Sequence, residues 1–389
     1  MSTDARADDR VPRSYLRRLN RPSEPPSSPV GLAPTQARTA SRRKRVADAL
    51  TPSRVCLVAL AVVLEVAVLW AIHNAIVDDG YISLDYARTL AFHGEWGAVP
   101  GIPANSATSP LNVMALAALT VVVRSPMIAL WVLAVANAAA LGVGLLRLGS
   151  GWRVGDRLAW IALPLLVLNP IIASSTGLET AMTVTWLVWL LGVAARGSWR
   201  GFGWLAGVGI VLRPDLVIVI VVVWLLHPAL RRPSKLWSTA GTAWRAALLG
   251  LPWYIFSWFY FGSAIPDTLV IKRDQTWGRF DVGLWRRYDH LYPWAIASVT
   301  IAAAVGLLVL LALPASRWTR WRPVALSVAS CGIAGLTYFA AYTRLHVPPY
   351  FWYYGIPLAS LTIVAAFGIS AVTTQLGRVP HLGVTSTRV

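Results

Sequence analysis

The chain has 389 residues, 56 % hydrophobic and only 13 % charged, about half the ~25 % charged share of a soluble domain. Its apolar residues arrive in blocks of roughly 15 to 25, the length a bilayer crossing demands. That excludes a soluble globular enzyme, a disordered chain and a collagen-like fibre. The net charge of +18 reads as membrane topology, with no nucleic-acid partner, because 12 of the 35 Lys and Arg precede residue 55. Most of the others flank apolar blocks, as loop charges of membrane proteins do. Many of the 20 tryptophans also stand at block ends, where interfacial anchors sit. The expectation is an all-α, polytopic membrane protein.

Residues 1–50, rich in Arg, Ser and Pro, predict a disordered basic cytoplasmic tail, since such a segment buries too little apolar area to fold. Arg54–Ile76 is the first span, with basic residues before it and Asp78-Asp79 after it. Ala107–Val123 is shorter and is read as a helix lying along the outer surface. This keeps Arg147, Arg153 and Arg157 cytoplasmic, as the positive-inside bias requires. Met127–Leu146, Leu158–Ser175 and Leu178–Ala195 then alternate across the membrane. Gly201–Leu212 would span only about 18 Å as a helix. With Arg213-Pro214-Asp215 and Leu216–Ala229 it predicts a short helical hairpin rising from the cytoplasmic side. Ala240–Phe261, Pro293–Leu313, Pro323–Tyr342 and Tyr350–Thr374 complete about eight full spans. The membrane domain is 51–375 and a cytoplasmic tail follows at 376–389. Cys56 and Cys331 lie far apart in apolar blocks and the histidines are scattered, so no disulfide framework or zinc spacing is present.

This topology places the unusual polar clusters on one outer face: Asp78-Asp79, Glu179, Arg213 with Asp215, Asp267 to Arg273, Arg344 with His346, and the aromatic run Phe351–Tyr354. Ionisable groups near hydrocarbon are costly, and such convergence suggests an active site. Adjacent carboxylates offer a general base with an orienting neighbour. Lys272, Arg273, Arg213 and Arg344 are candidates to bind a phosphate, Arg as a fork and Lys as a point charge. Plainer readings stand beside these. Asp215 can serve simply as the ion-pair partner of Arg213, Glu179 suits a helix start through the macrodipole, and Trp352 and Tyr353 suit an interfacial belt. Glu65, inside the first span, has no evident role.

Six motifs carry a resemblance to a known family. They are Asp78-Asp79 with Tyr81-Ile82-Ser83 and Tyr86-Ala87-Arg88; Thr108-Ser109-Pro110-Leu111; and Gly177-Leu178-Glu179-Thr180-Ala181. Arg213-Pro214-Asp215, Ile265-Pro266-Asp267-Thr268 followed by Lys272, and Val347–Pro357 complete the set. In this order the chain resembles the GT-C membrane glycosyltransferases, and within them the actinobacterial arabinofuranosyltransferases. It departs from them at Thr176, Asp85 and Asp267, where Ser, Arg and Asn are usual. It also lacks their large extracytoplasmic C-terminal domain.

The resemblance implies a GT-C fold and inverting transfer of a sugar from a polyprenyl-phosphate donor to an acceptor hydroxyl of a cell-envelope glycan or glycolipid. The Ala-, Val-, Arg- and Trp-rich composition suggests an actinobacterial source and so decaprenyl phosphate as the carrier. Asp78 is the implied base and Asp79 its orienting neighbour, or the reverse. Tyr81, Glu179, Asp215, His346, Trp352 and Tyr353 are assigned to the substrate pocket. A divalent cation is left open, with Asp79 and Glu179 as its ligands if one is used. A transporter or flippase of lipid-linked saccharides is the alternative, and a non-catalytic scaffold comes third.

Overall fold

A computed structural model describes residues 51–227, 230, 236–275, 277–283, 315–376 and scattered positions between 290 and 308. The expected tails and most of the expected span Pro293–Leu313 lie outside the described residues. The described elements belong to one compact unit beginning at Pro52. Among the described residues the fold is helical, with isolated bridges but no strand.

The helices are α1 (Pro52–Ile72), α2 (Asp78–His93), α3 (Pro110–Val123), α4 (Pro126–Gly151), α5 (Arg157–Val167), α6 (Pro170–Ala173) and α7 (Thr180–Ala195). They continue with α8 (Trp199–Leu212), a 3-10 turn Pro214–Leu216, α9 (Val217–Leu226), α10 (Leu236–Phe261) and α11 (Asp267–Arg273). After α12 (Ala315–Arg344), a 3-10 turn Phe351–Tyr354 leads into α13 (Gly355–Leu376). Among the described residues four stretches are long and apolar enough to cross a membrane: α1, α4, Val324–Arg344 of α12, and Phe351–Thr374. The chain is therefore built of membrane-type helices.

Proline sets many of the helix starts. Pro110, Pro126, Pro170 and Pro214 each occupy a first helical position, where the missing N–H costs nothing and φ is preset. Ser125 and Asn169 add side-chain caps, Asn169 Oδ1 accepting from the Ile171 and Ile172 N–H groups at 3.0 and 3.3 Å. The same chemistry divides the expected span Leu158–Ser175. Pro164 lies inside α5, the helix ends at Val167, and Asn169-Pro170 starts the separate turn α6. A residue before proline is steered away from helical φ and ψ, so apolar composition alone overstates this span.

The bundle has two distinct ends. At one, Arg54 of α1 pairs with Asp156 before α5 at 3.0 Å, and Arg157 donates to Thr374 near the end of α13 at 2.9 Å. The start of α10 joins the start of α8 there, where Thr242 Oγ1 donates to the Trp199 carbonyl at 3.3 Å. The opposite end gathers the tail of α1, the starts of α4, α7 and α13, and the turn Arg213–Leu216. Helices α2 and α3 are attached at this second end. Asn112 of α3 donates to the Gly177 carbonyl at 3.3 Å, while Val123 leads within three residues into the start of α4.

The expected hairpin rises and returns, but its arms pack elsewhere: α8 runs along α10, and α9 along α12. The tryptophans expected at the interface include several that instead tie helices together in the interior. Trp152 Nε1 donates to Ser327 Oγ at 2.7 Å, Trp186 Nε1 to the Leu205 carbonyl at 2.7 Å, and Trp189 Nε1 to the Ala140 carbonyl at 3.0 Å. An indole buried in hydrocarbon needs such a partner.

Candidate active site

The second end of the bundle is held by backbone contacts between motifs far apart in sequence. Gly80, just after the acidic pair, packs against Gly177 so closely that a Cβ on Gly177 would stand 3.0 Å from the Gly80 Cα. Gly177 has φ +99°, a conformation that glycine adopts without penalty. This docking places Asp78 and Asp79 beside the loop that carries Glu179.

A second strap fixes α11. Tyr86 of α2 donates to the Ala104 carbonyl at 2.9 Å and lies 2.6 Å from Ser106 Oγ. Asn105 then donates to the carbonyls of Ser263 and Ile265 at 3.1 and 3.2 Å, and its own carbonyl accepts from Asp267 N–H at 2.8 Å. Thr268 Oγ1 donates to the Ser106 carbonyl at 2.9 Å. The strap holds α11 so that Lys272 Nζ meets Asp79 Oδ2 at 3.2 Å. The same ammonium lies over the rings of Tyr350 and Trp352, 4.5 and 5.2 Å from their centroids, which is cation–π distance.

Deeper in, Arg213 organises a buried cluster. Its Nε and Nη2 grip the two oxygens of Asp215 at 3.0 and 2.7 Å, while Nη1 donates to Glu179 at 2.8 Å. Nη2 also reaches Tyr342 Oη at 2.9 Å. Tyr338 donates to Asp215 Oδ2 at 2.5 Å, and Tyr342 donates to the same oxygen. Burial by itself would lower the Arg213 guanidinium, but Asp215 beside it, the two phenols and Glu179 hold it well above its ordinary value. Burial, followed by the Asp79 carboxylate, pushes the Tyr350 phenol up. Of the two sequence readings of Arg213, this geometry matches the ion-pair one, because its fork is occupied by the protein's own carboxylate.

Both clusters open onto one cavity of about 740 Å³. Thr108, Glu179, Arg213, Asp215, Lys272, Tyr342, Arg344, His346, Trp352 and Tyr353 all contribute to its wall. Nine of the expected site residues therefore come together here, counting Asp79 through its bond to Lys272. Arg344 is exposed and has no carboxylate within ion-pair distance among the described residues. His346 follows two residues on, with φ +55°, in the left-handed region that His adopts more readily than most residues with a Cβ.

Three expected residues stand apart from the wall. Asp78 is exposed and its Oδ1 accepts from the Asp79 N–H at 2.9 Å. Tyr81 is exposed and not part of the cavity lining. The Arg273 side chain lies outside the described part. Tyr338, Tyr342, Asn105 and Tyr350 were not singled out from the sequence. The i, i+4 spacing of Tyr338 and Tyr342 puts both hydroxyls on one helix face, which was the available signal.

The carboxylates of Asp79 and Glu179 are engaged by Lys272 and Arg213. Among the described residues no three His, Cys, Asp or Glu side chains group as a metal site. No family model, curated protein or solved structure matches this chain.

Proposed function

We propose that the chain is a GT-C-type membrane glycosyltransferase that moves a sugar from a polyprenyl-phosphate donor, decaprenyl phosphate by the resemblance, to a hydroxyl of a cell-envelope glycan or glycolipid. Its topology in this reading has about eight spans, both termini cytoplasmic and the site on the outer face. The observation that carries the reading is the gathering of five of the six motifs around one cavity, walled by charged and aromatic side chains, at one end of a membrane-type bundle. A carrier places such groups nearer the middle of its helices, which makes transport the second choice.

The chemistry follows from the charges present. A lipid phosphate leaves as an anion and needs cations more than a proton donor. Lys272 and Arg344 face the cavity to meet it, and an ammonium and a guanidinium both suit phosphate oxygens. The acceptor hydroxyl needs a carboxylate within hydrogen-bond reach to take its proton, and Asp78 or Asp79 supplies it from the rim. Trp352 and Tyr353 offer faces against which a sugar or isoprene unit packs. Arg213 holds Glu179 and Asp215 in place behind them and takes no part in the bond change.

Purified protein supplied with radiolabelled polyprenyl-phosphate sugar and acceptor tests this. Wild type should form labelled glycan or glycolipid, and Asp78→Asn or Asp79→Asn should reduce the rate by roughly 10²- to 10⁴-fold, the worth of a general base. Equal product from wild type and both variants would contradict the reading.

A further inference from the structure

In the structure described above, the Lys272 ammonium has its surroundings filled. It is bonded to Asp79 at 3.2 Å and lies over the Tyr350 and Trp352 rings, with only 16 % of the side chain exposed. The rings are not free to leave. Tyr350 donates to Gln275 Oε1 at 2.8 Å, stacks on Trp352 with centroids 4.5 Å apart and meets Trp277 edge-on at 5.0 Å. Asp79 is the exchangeable partner. It is 29 % exposed, at the first turn of α2, and is held to Lys272 by one ion pair. In that pair Asp79 Oδ2 is turned to the ammonium and occupied by it, and so is not presented to an incoming hydroxyl.

We propose that an incoming prenyl phosphate takes the place of Asp79 on Lys272, so that the donor itself releases the carboxylate. One anion exchanges for another at the same ammonium, and no covalent bond changes. Arg344, which has no carboxylate partner among the described residues, supplies the second cation and pulls the exchange toward phosphate. With Asp79 as the base, that carboxylate is held in the empty site and freed in the loaded one, which orders the reaction donor first. This rests on the phosphate reading of the cavity and adds to it a competition between two residues and a ligand.

The test is binding alone. Farnesyl phosphate, a prenyl monophosphate without a sugar, is titrated onto the purified full-length chain in detergent and read by tryptophan fluorescence. Asp79→Asn should bind about twofold to fivefold more tightly than wild type, the scale of a partly exposed ion pair removed from competition. Asp78→Asn removes the same charge one residue away without touching Lys272 and should shift affinity less than twofold. Lys272→Gln should bind about tenfold more weakly, and adding Asp79→Asn to it should give no gain. Equal tightening by Asp79→Asn and Asp78→Asn, or none in either, overturns the competition. A working transferase with that result keeps its function and loses only this inference. A chain that transfers no sugar but shows the competition loses the function and keeps the anion switch.

Discussion

At the scale of single residues, the decisive chemistry is the commitment of each charge. Arg213 is gripped by Asp215 on one edge and Glu179 on another, with a phenol from Tyr342 closing the cluster. Removing one partner from a buried ion pair leaves charge without compensation, at a cost of roughly 3–5 kcal/mol. Arg213→Ala should therefore lower the thermal midpoint in detergent most. Arg213→Lys should follow, because an ammonium cannot reproduce the planar fork, and Tyr342→Phe should cost about 1–3 kcal/mol. An Arg213→Lys variant as stable as wild type would show that the fork does not matter. The Arg213–Asp215 pairing was legible in the sequence from the two-residue spacing alone. The tyrosines were not singled out, because their i, i+4 spacing shows a shared helix face but not the carboxylate that another element brings to it.

At the scale of elements, backbone proximity does what side chains do elsewhere. The start of α2 and the loop before α7 meet through Gly80 and Gly177, where an added Cβ would stand 3.0 to 3.3 Å from the facing backbone. Gly177→Ala must accept both φ +99° and that contact. It should lose stability on the order of 1–3 kcal/mol and tighten farnesyl phosphate binding, because Asp79 moves with Gly80 and leaves Lys272. Gly94 is the comparison: its φ is +71° with nothing within 4 Å of a Cβ. Gly94→Ala should cost stability through the backbone yet leave binding unchanged. An equal change in binding in both variants, or a loss in Gly177→Ala, would contradict the docking role.

The start of α4 was legible, the expected Met127 falling one residue from Pro126. The continuity of Leu158–Ser175 was misjudged, because apolar composition does not record the hydrogen bonds that Pro164 and Pro170 remove. The separation of the two hairpin arms also escaped the sequence. It depends on which faces of α10 and α12 are available to α8 and α9, a tertiary matter.

At the scale of the molecule, the bundle is polar from end to end. Arg54, Asp156 and Arg157 mark one end, and the cavity with its carboxylates and cations marks the other. Charge bias along the sequence anticipated this division, since loop cations follow from topology. The bond between Lys272 and Asp79 could not be read that way, as the two residues are 193 positions apart and only the Asn105 strap aligns them.

The account depends on the acid pair facing the non-cytosolic side, and labelling of a single cysteine tests that most directly. In a Cys56→Ser, Cys331→Ala background, Asp78→Cys should react with a membrane-impermeant maleimide added to intact cells. Arg153→Cys should react only after permeabilisation. Labelling of position 78 from the cytosol alone would contradict the account.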